Sequence, residues 1–251
     1  MKKALLMIIT AAALVACQKQ PAATAAIDEN GDLIFQNSLV CYRLNGASNP
    51  VVSSGLEAIL KAQEGKEVVV KDRKAAQTAS LNDGGSAYVV SDSLCFPHEN
   101  FDSFEIVEQT PNRVVFSVHY PQWLAGEDSV SLTRTITLGE NSYYCEVSDA
   151  YVSSRPGHDI RVAVGFSKRG VSKSETGKDY IIAWEDLAGD GNMGVGFVMP
   201  RTLEFEYEGP NDQAVAYFNT KSSRKTDYAV GCCWSKGELS DFELWASKVR
   251  L

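Results

Sequence analysis

The sequence predicts a mainly β protein: an antiparallel β-sandwich with one short C-terminal helix. Three observations lead to this prediction. Short runs of alternating or β-branched residues recur along the chain, turn dipeptides such as Asn45-Gly46 separate them, and strands do not alternate with helices. We therefore do not expect a parallel sheet of the dinucleotide-binding kind.

The predicted strands follow one another at short intervals over most of the chain. They are residues 33–35, 39–44, 67–70, 87–90, 104–107, 113–120, 129–138, 143–152, 160–166, 180–184, 193–199, 203–207, 214–218 and 228–234. The glycine-rich segment 189–196 follows one of them and runs into the next. It resembles the start of a calcium-binding loop, but the later ligands do not follow, so we interpret it as a tight turn.

Two segments have helical spacing. In residues 54–63, Leu56, Ile59 and Leu60 recur at helical intervals before Gly65, which predicts a helix. At the C-terminus, residues 240–243 match a capping box with Ser240 as the cap. An apolar stripe follows, made of Phe242, Trp245, Ala246 and Val249. We expect this stripe to pack on the β-sandwich, with docking of a partner protein as the alternative.

The N-terminus predicts export and lipid anchoring. Residues 1–16 combine Lys2 and Lys3 with an apolar run that is too short to span a bilayer, which is typical of a secretory signal peptide. The ending Leu-Val-Ala-Cys resembles a lipobox, so we expect a lipid on Cys17 and a membrane anchor. Residues 17–26 would be the lipidated cysteine and a tether, and residues 27–251 a single β-sandwich domain in the cell envelope.

Composition excludes some partners. The chain has 24 basic and 32 acidic residues, so nucleic acid is not expected. Of six cysteines, Cys17 is assigned to the lipid; the spacing of the other five matches no metal motif, and we expect no metal and no cofactor. Adjacent Cys232 and Cys233 would point to opposite faces of a strand, one of them as an inert core thiol.

Arg134 occupies an unusual position in the predicted strand 129–138. It shares its side of the strand with four apolar residues: Val130, Leu132, Ile136 and Leu138. A charge there is costly unless it is paired or lies at a binding site. We favour an ion pair near the sheet edge or a register break; the alternative is a contact with an anion such as a uronate carboxylate.

Few other residues suggest chemistry. Of three histidines, His119 is the best candidate for a general acid or base, beside Tyr120 in one strand. Trp184 stands beside two acids, Glu185 and Asp186, a set of the kind that binds sugar rings, although a core tryptophan with solvated acids is the simpler interpretation.

The second half of the chain resembles a known family in the order of its elements. The stretches that carry the resemblance are 104–116, 133–139, 181–184, 194–198 and 231–235, with the closing helix around Trp245. They resemble the lipoprotein-type family labelled domain of unknown function 4861. The resemblance implies a β-sandwich like those of galactose mutarotases and polysaccharide lyases, in systems that degrade polysaccharides. Residues 54–97 depart from the family, because the His- and Gly-rich segments of longer members have no match there.

These observations predict a carbohydrate-directed envelope lipoprotein, on the periplasmic or the surface side of the outer membrane. As an enzyme it would be a lyase or epimerase on uronate-containing glycans, in which His119 or Tyr120 moves a proton and Arg134 holds the carboxylate. One alternative is a glycan-binding module that uses Trp123 and Trp184 for stacking. Another is a scaffold that docks a protein through its final helix.

Overall fold

The computed structural model describes residues 22–64, 67–71, 80–200, 205–209 and 212–250. The predicted signal peptide and Cys17 lie outside these residues. The strands are β1 (Thr24–Ile27), β2 (Leu33–Gln36), β3 (Cys41–Leu44), β4 (Glu57–Glu64), β5 (Glu67–Lys71), β6 (Gly85–Val90), β7 (Ser93–Cys95), β8 (Ser103–Gln109), β9 (Arg113–Ala125), β10 (Asp128–Gly139), β11 (Tyr144–Ser153), β12 (Asp159–Ser167), β13 (Val171–Thr176), β14 (Tyr180–Asp186), β15 (Asn192–Val198), β16 (Phe205–Gly209), β17 (Gln213–Lys221) and β18 (Lys225–Trp234). The helix α1 spans Phe242–Val249.

The strands of the described residues form three sheets in which every neighbouring pair is antiparallel. The large sheet has the order β13-β14-β15-β18-β11-β10-β9-β8. The facing sheet has the order β16-β17-β12-β6-β7, and the front sheet runs from β1 to β5 in sequence. The predicted mainly β, antiparallel class with a short C-terminal helix is confirmed.

The inner face of the large sheet carries the core. Along β9 and β10 about every second residue is buried, and most of these buried residues are apolar. The facing sheet packs against it through Phe166 and Phe197, whose ring centroids lie 6.2 Å apart. The front sheet packs against it through Phe35 and Phe116, at 5.0 Å. The apolar side chains of all three sheets join in one cluster.

Helix α1 covers part of the outer face of the large sheet, over β14 and β15. Its apolar stripe packs on Ile182, Trp184 and Cys233, so the prediction that the stripe faces the β domain is confirmed. The predicted cap is wrong by one residue. Asp241 is the N-cap, and its carboxylate accepts the backbone amide of Leu244 at 3.0 Å. Within the described part of the chain, no helix is long and apolar enough to cross a membrane.

The helix predicted over residues 54–63 is wrong, because β4 occupies this segment. Ala58, Leu60 and Ala62 are buried on one side of the strand, whereas Ile59 and Lys61 are half-buried on the other. Alanine at two of the inward positions hides this two-residue period, and the larger apolar residues that remain fit a helical spacing equally well. At the N-terminus, β1 begins at Thr24, inside the stretch predicted to be tether.

Two smaller predictions are confirmed. The glycine-rich segment contains the turn from β14 to β15, in which Gly189 and Gly191 adopt positive φ angles. Cys232 faces the core, and Cys233 lies under α1 on the other side of β18. Burial raises the pKa of Cys233 well above its ordinary value, as expected for an inert thiol.

Candidate functional site

The three residues predicted to act together lie on opposite faces of the large sheet. His119 of β9 is on the outer face, and its neighbour Tyr120 is on the inner face. Arg134 of β10 also faces inward, where its side chain is completely buried. The structure therefore does not bring His119 together with Arg134.

Arg134 is held instead by Asp149, directly opposite on β11. Nε of Arg134 donates to Oδ1 of Asp149 at 2.8 Å, and Nη2 donates to Oδ2 at 2.8 Å, while Nη1 donates to the carbonyl of Ser54. Burial alone would lower the pKa of Arg134, but the charge of Asp149 raises it well above its ordinary value. The ion-pair interpretation is confirmed, although the pair lies within the sheet and not at its edge.

Hydroxyl groups complete this buried network around Asp149. The hydroxyl of Tyr228 donates to Oδ2 at 2.8 Å, and Oγ of Ser86, on the facing sheet, donates to the same oxygen. Ser86 also shares a hydrogen bond of 2.7 Å with the hydroxyl of Tyr151. The carboxylate and the guanidinium thus have several partners each. A buried ion pair is tolerated only when its charged groups have such additional hydrogen bonds.

Tyr120 and Trp123 lie in the same core region. Neither the hydroxyl of Tyr120 nor Nε1 of Trp123 has a hydrogen-bond partner among the described residues. Burial raises the pKa of Tyr120 to about 12. The ring of Trp123 packs edge-on against Tyr151, with centroids 6.3 Å apart. Because both side chains are buried, neither offers a surface on which a sugar could stack.

Trp184 and Glu185 do not form one sugar-binding pair. Trp184 points outward and is covered by α1. Glu185 points inward, is fully buried, and accepts the backbone amide of Arg169 at 3.0 Å. For Trp184 the simpler interpretation, a core tryptophan, is the observed one; the glutamate is not solvated as that interpretation assumed.

The outer face of the large sheet carries an open groove beyond the part that α1 covers. Its volume is about 360 Å³. It crosses β10, β11, β18 and β15 and is lined by Thr135, Thr137, Glu146, Val147, Ser148, Val198, Pro200, Asp227, Tyr228 and Ala229. We call this feature the outer groove.

Strand register builds the floor of the outer groove from two rows of directly opposite residues. The first row runs Thr135–Ser148–Asp227, and the second runs Thr137–Glu146–Ala229–Val198. Oγ of Ser148 donates to Oδ1 of Asp227 at 2.6 Å, which fixes both side chains. The groove therefore combines hydroxyls and carboxylates with an apolar end at Val198 and Pro200.

His119 lies on this same outer face, at the margin of the outer groove. It is directly opposite Thr133, one row away from Thr135. Nδ1 of His119 and Oδ1 of Asp102 are 2.9 Å apart, and both side chains are about half exposed. A carboxylate in this position orients an imidazole ring and selects its tautomer.

The residues of the outer groove were not predicted from the sequence. Its polar residues occupy the outward positions of an alternating pattern on each strand, which is also what a solvated sheet face looks like. Only the pairing of β10, β11, β18 and β15 brings these positions, distant in the chain, into two adjacent rows. No sequence signal distinguishes them from other outward residues.

Comparison with known proteins identifies a family to which the chain is similar. No curated protein is significantly similar in sequence to the chain. A family model described as "Domain of unknown function (DUF4861)" matches residues 78–249, which include β6 to β18 and α1. This range covers well over half of the chain, holds every residue that lines the outer groove, and agrees with the resemblance noted from the order of elements. The chain belongs to the DUF4861 family.

Proposed function

We propose that this protein is a carbohydrate-directed lipoprotein of the cell envelope that binds a neutral glycan in the outer groove. The observation that carries the proposal is the pair of cross-strand rows, which present hydroxyls, carboxylates and apolar side chains side by side in an open groove. Ligand sites typically combine apolar surface with a few fixed polar groups in this way.

Each part of the outer groove matches a part of a sugar. The carboxylates of Glu146 and Asp227 accept hydrogen bonds from sugar hydroxyls, and such charge-assisted bonds are stronger than neutral ones. The hydroxyls of Thr135 and Thr137 can donate and accept, whereas that of Ser148, which donates to Asp227, can accept. The apolar side chains of Val198 and Pro200 suit the C–H face of a pyranose ring.

Charge favours a neutral sugar over a uronate. Glu146 and Asp227 are exposed in the groove, and a substrate carboxylate placed there would meet like charge. The arginine that the sequence suggested for a uronate is paired with Asp149 in the core. The geometry therefore supports neutral polysaccharides better than the uronate-containing glycans expected from the sequence.

Native affinity electrophoresis of the full chain in mild detergent tests the proposal. Gels would contain xylan, mannan or β-glucan as neutral polymers, and alginate or polygalacturonate as acidic ones. We expect retardation by a neutral polymer, and loss of retardation in the double variant Glu146→Gln/Asp227→Asn. Glu127→Gln, which removes an exposed carboxylate elsewhere, is the matched control. Equal retardation of the double variant and the wild type would exclude the outer groove as the binding site.

A second candidate function is catalysis at the margin of the groove, and the His119–Asp102 pair favours it. A histidine oriented by a carboxylate is suited to proton transfer, as lyase and epimerase reactions require. For this second candidate the substrate would be a uronate-containing glycan, because the uronate carboxylate acidifies the proton that a lyase removes. Elimination would release unsaturated products with ultraviolet absorbance. We expect His119→Ala to abolish that signal and Asp102→Asn to lower the rate at least about tenfold. Full turnover by His119→Ala would exclude His119 as the residue that moves the proton.

We further propose that a lipid on Cys17 anchors the protein to a membrane. Only six residues separate Cys17 from the first strand, which begins at Thr24. Six extended residues span at most about 20 Å. The anchor would thus hold the β domain close to the bilayer, where several acyl chains give durable attachment.

A further inference from the structure

A second cavity lies beside the outer groove, at the end of the large sheet where β10 turns into β11. Its volume is about 480 Å³, and its walls include Asn141, Ser142, Tyr143, Tyr144, Glu238 and Lys248. We call it the turn cleft. It offers an amide, hydroxyls, aromatic rings, a carboxylate and an ammonium group, a mixture of apolar and hydrogen-bonding groups that fits a polyhydroxylated ligand.

The walls of the turn cleft are held in place by hydrogen bonds. Nδ2 of Asn37 donates to the carbonyls of Gly139 and Ser142, both at 2.7 Å, and so ties the β10–β11 turn to the β2–β3 turn. Nζ of Lys61 donates to the carbonyl of Asn37 at 2.5 Å. On the other side, the hydroxyl of Tyr143 donates to Oε2 of Glu238 at 3.4 Å. Such fixed walls reduce the ordering that binding would otherwise require.

The turn cleft and the outer groove are adjacent along one strand. Tyr144 of β11 lines the turn cleft, and Glu146, two residues further on, lines the outer groove. Both point to the outer face of the sheet, and two residues of a strand span roughly 7 Å. The two cavities therefore lie side by side on the outer face of the sheet.

We infer that the turn cleft is a second glycan subsite, so that the protein binds an extended oligosaccharide and not a single sugar. The inference rests on the proposed function of the outer groove and names its ligand class more closely. A chain that fills one subsite presents its next units to the other, and affinity then rises with chain length. A protein of this kind recognises the interior of a polymer as well as its ends.

Calorimetric titration with trisaccharides and hexasaccharides of the cello, xylo and manno series tests this inference. For the series that binds, we expect the hexasaccharide to bind at least about tenfold tighter than the trisaccharide. In Glu238→Ala and in Lys248→Ala, both exposed positions, we expect this ratio to fall towards one while trisaccharide affinity stays unchanged. Glu127→Ala removes an exposed carboxylate in the β9–β10 turn, at the opposite end of β10 from the turn cleft, and should keep the full ratio.

The possible outcomes separate the two proposals. An undiminished ratio in both cleft variants would overturn the second subsite and leave the outer groove as the binding site. A ratio near one in the wild type would also overturn it. Absence of binding by the wild type to every oligosaccharide of these series would overturn both proposals. An unfolding midpoint temperature equal to that of the wild type would show that each variant is folded, so that misfolding does not explain a lower ratio of hexasaccharide to trisaccharide affinity.

Discussion

Arg134 and Asp149 lie directly opposite each other on β10 and β11 and form a two-point ion pair that is completely shielded from solvent. We expect Asp149→Ala to lower the free energy of unfolding by about 3–5 kcal/mol, because it leaves a buried guanidinium without its counter-charge. The double variant Arg134→Met/Asp149→Leu should recover most of this loss, since it removes both charges. Urea denaturation measures both values; a loss below about 1 kcal/mol for Asp149→Ala would contradict the expectation.

Asp128 should make the protein sensitive to acid. Burial alone would raise the pKa of its carboxyl, but hydrogen bonds from Ser153, Ser154 and Tyr88 and the charge of Arg155 lower it well below its usual range. A carboxyl whose pKa is lower in the folded state stabilises the protein above its unfolded pKa, near 4, and loses this contribution as the pH falls.

We therefore expect the free energy of unfolding to fall between about pH 5 and pH 2, and to fall less steeply in Asp128→Asn. Chemical denaturation at a series of pH values measures both slopes. Glu127→Gln, the exposed neighbour, is the control and should keep the wild-type slope. Identical slopes for Asp128→Asn and the wild type would show that the carboxyl does not titrate differently in the folded state.

Gly194 should be required for the seating of α1. A Cβ atom at this position would lie 2.8 Å from the ring of Trp245 and 2.7 Å from Sγ of Cys233. We expect Gly194→Ala to destabilise the protein by about 1–3 kcal/mol and to weaken the near-ultraviolet circular dichroism of Trp245. Gly139→Ala is the matched control, because the nearest atom to its added Cβ would be 3.7 Å away. Equal stability of the two variants would argue against close packing of the helix.

Cys17 should decide whether the protein is found on membranes. In a bacterial host we expect the wild type in the membrane fraction and in the detergent phase after phase separation, because acyl chains bury their CH₂ groups in the bilayer. Cys17→Ala should move to the soluble fraction, whereas Cys95→Ala should behave as the wild type. Retention of Cys17→Ala in the membrane fraction would show that another feature holds the protein there.

The fold class followed from the sequence because alternation is a local property. The strand from Asp128 to Gly139 buries every second residue, and the same alternation predicted the inward position of Arg134. The sequence signal for α1 was equally local, because the apolar stripe and the first turn of the helix lie within eight residues. β4 was missed because small inward residues, Ala58 and Ala62, left too few large side chains to show a two-residue period.

The candidate site could be predicted less well from the sequence, because its composition depends on which strands pair. Neighbours such as His119 and Tyr120, or Trp184 and Glu185, suggested shared chemistry, yet adjacent residues of a strand face opposite ways. Conversely, Glu146 and Asp227 belong to one groove although 81 positions in the chain separate them. Pairing of distant strands decides such a site, and no local pattern records it.

The two rows of the outer groove have a consequence for how this family can diversify. Their side chains stand on paired strands whose backbone is fixed by the sheet, so one of them can be exchanged without moving its neighbours. A new ligand preference would then need single substitutions and no change of loop length. Over evolutionary time, related domains can keep one scaffold and acquire different specificities by altering the polar pattern that the sheet displays.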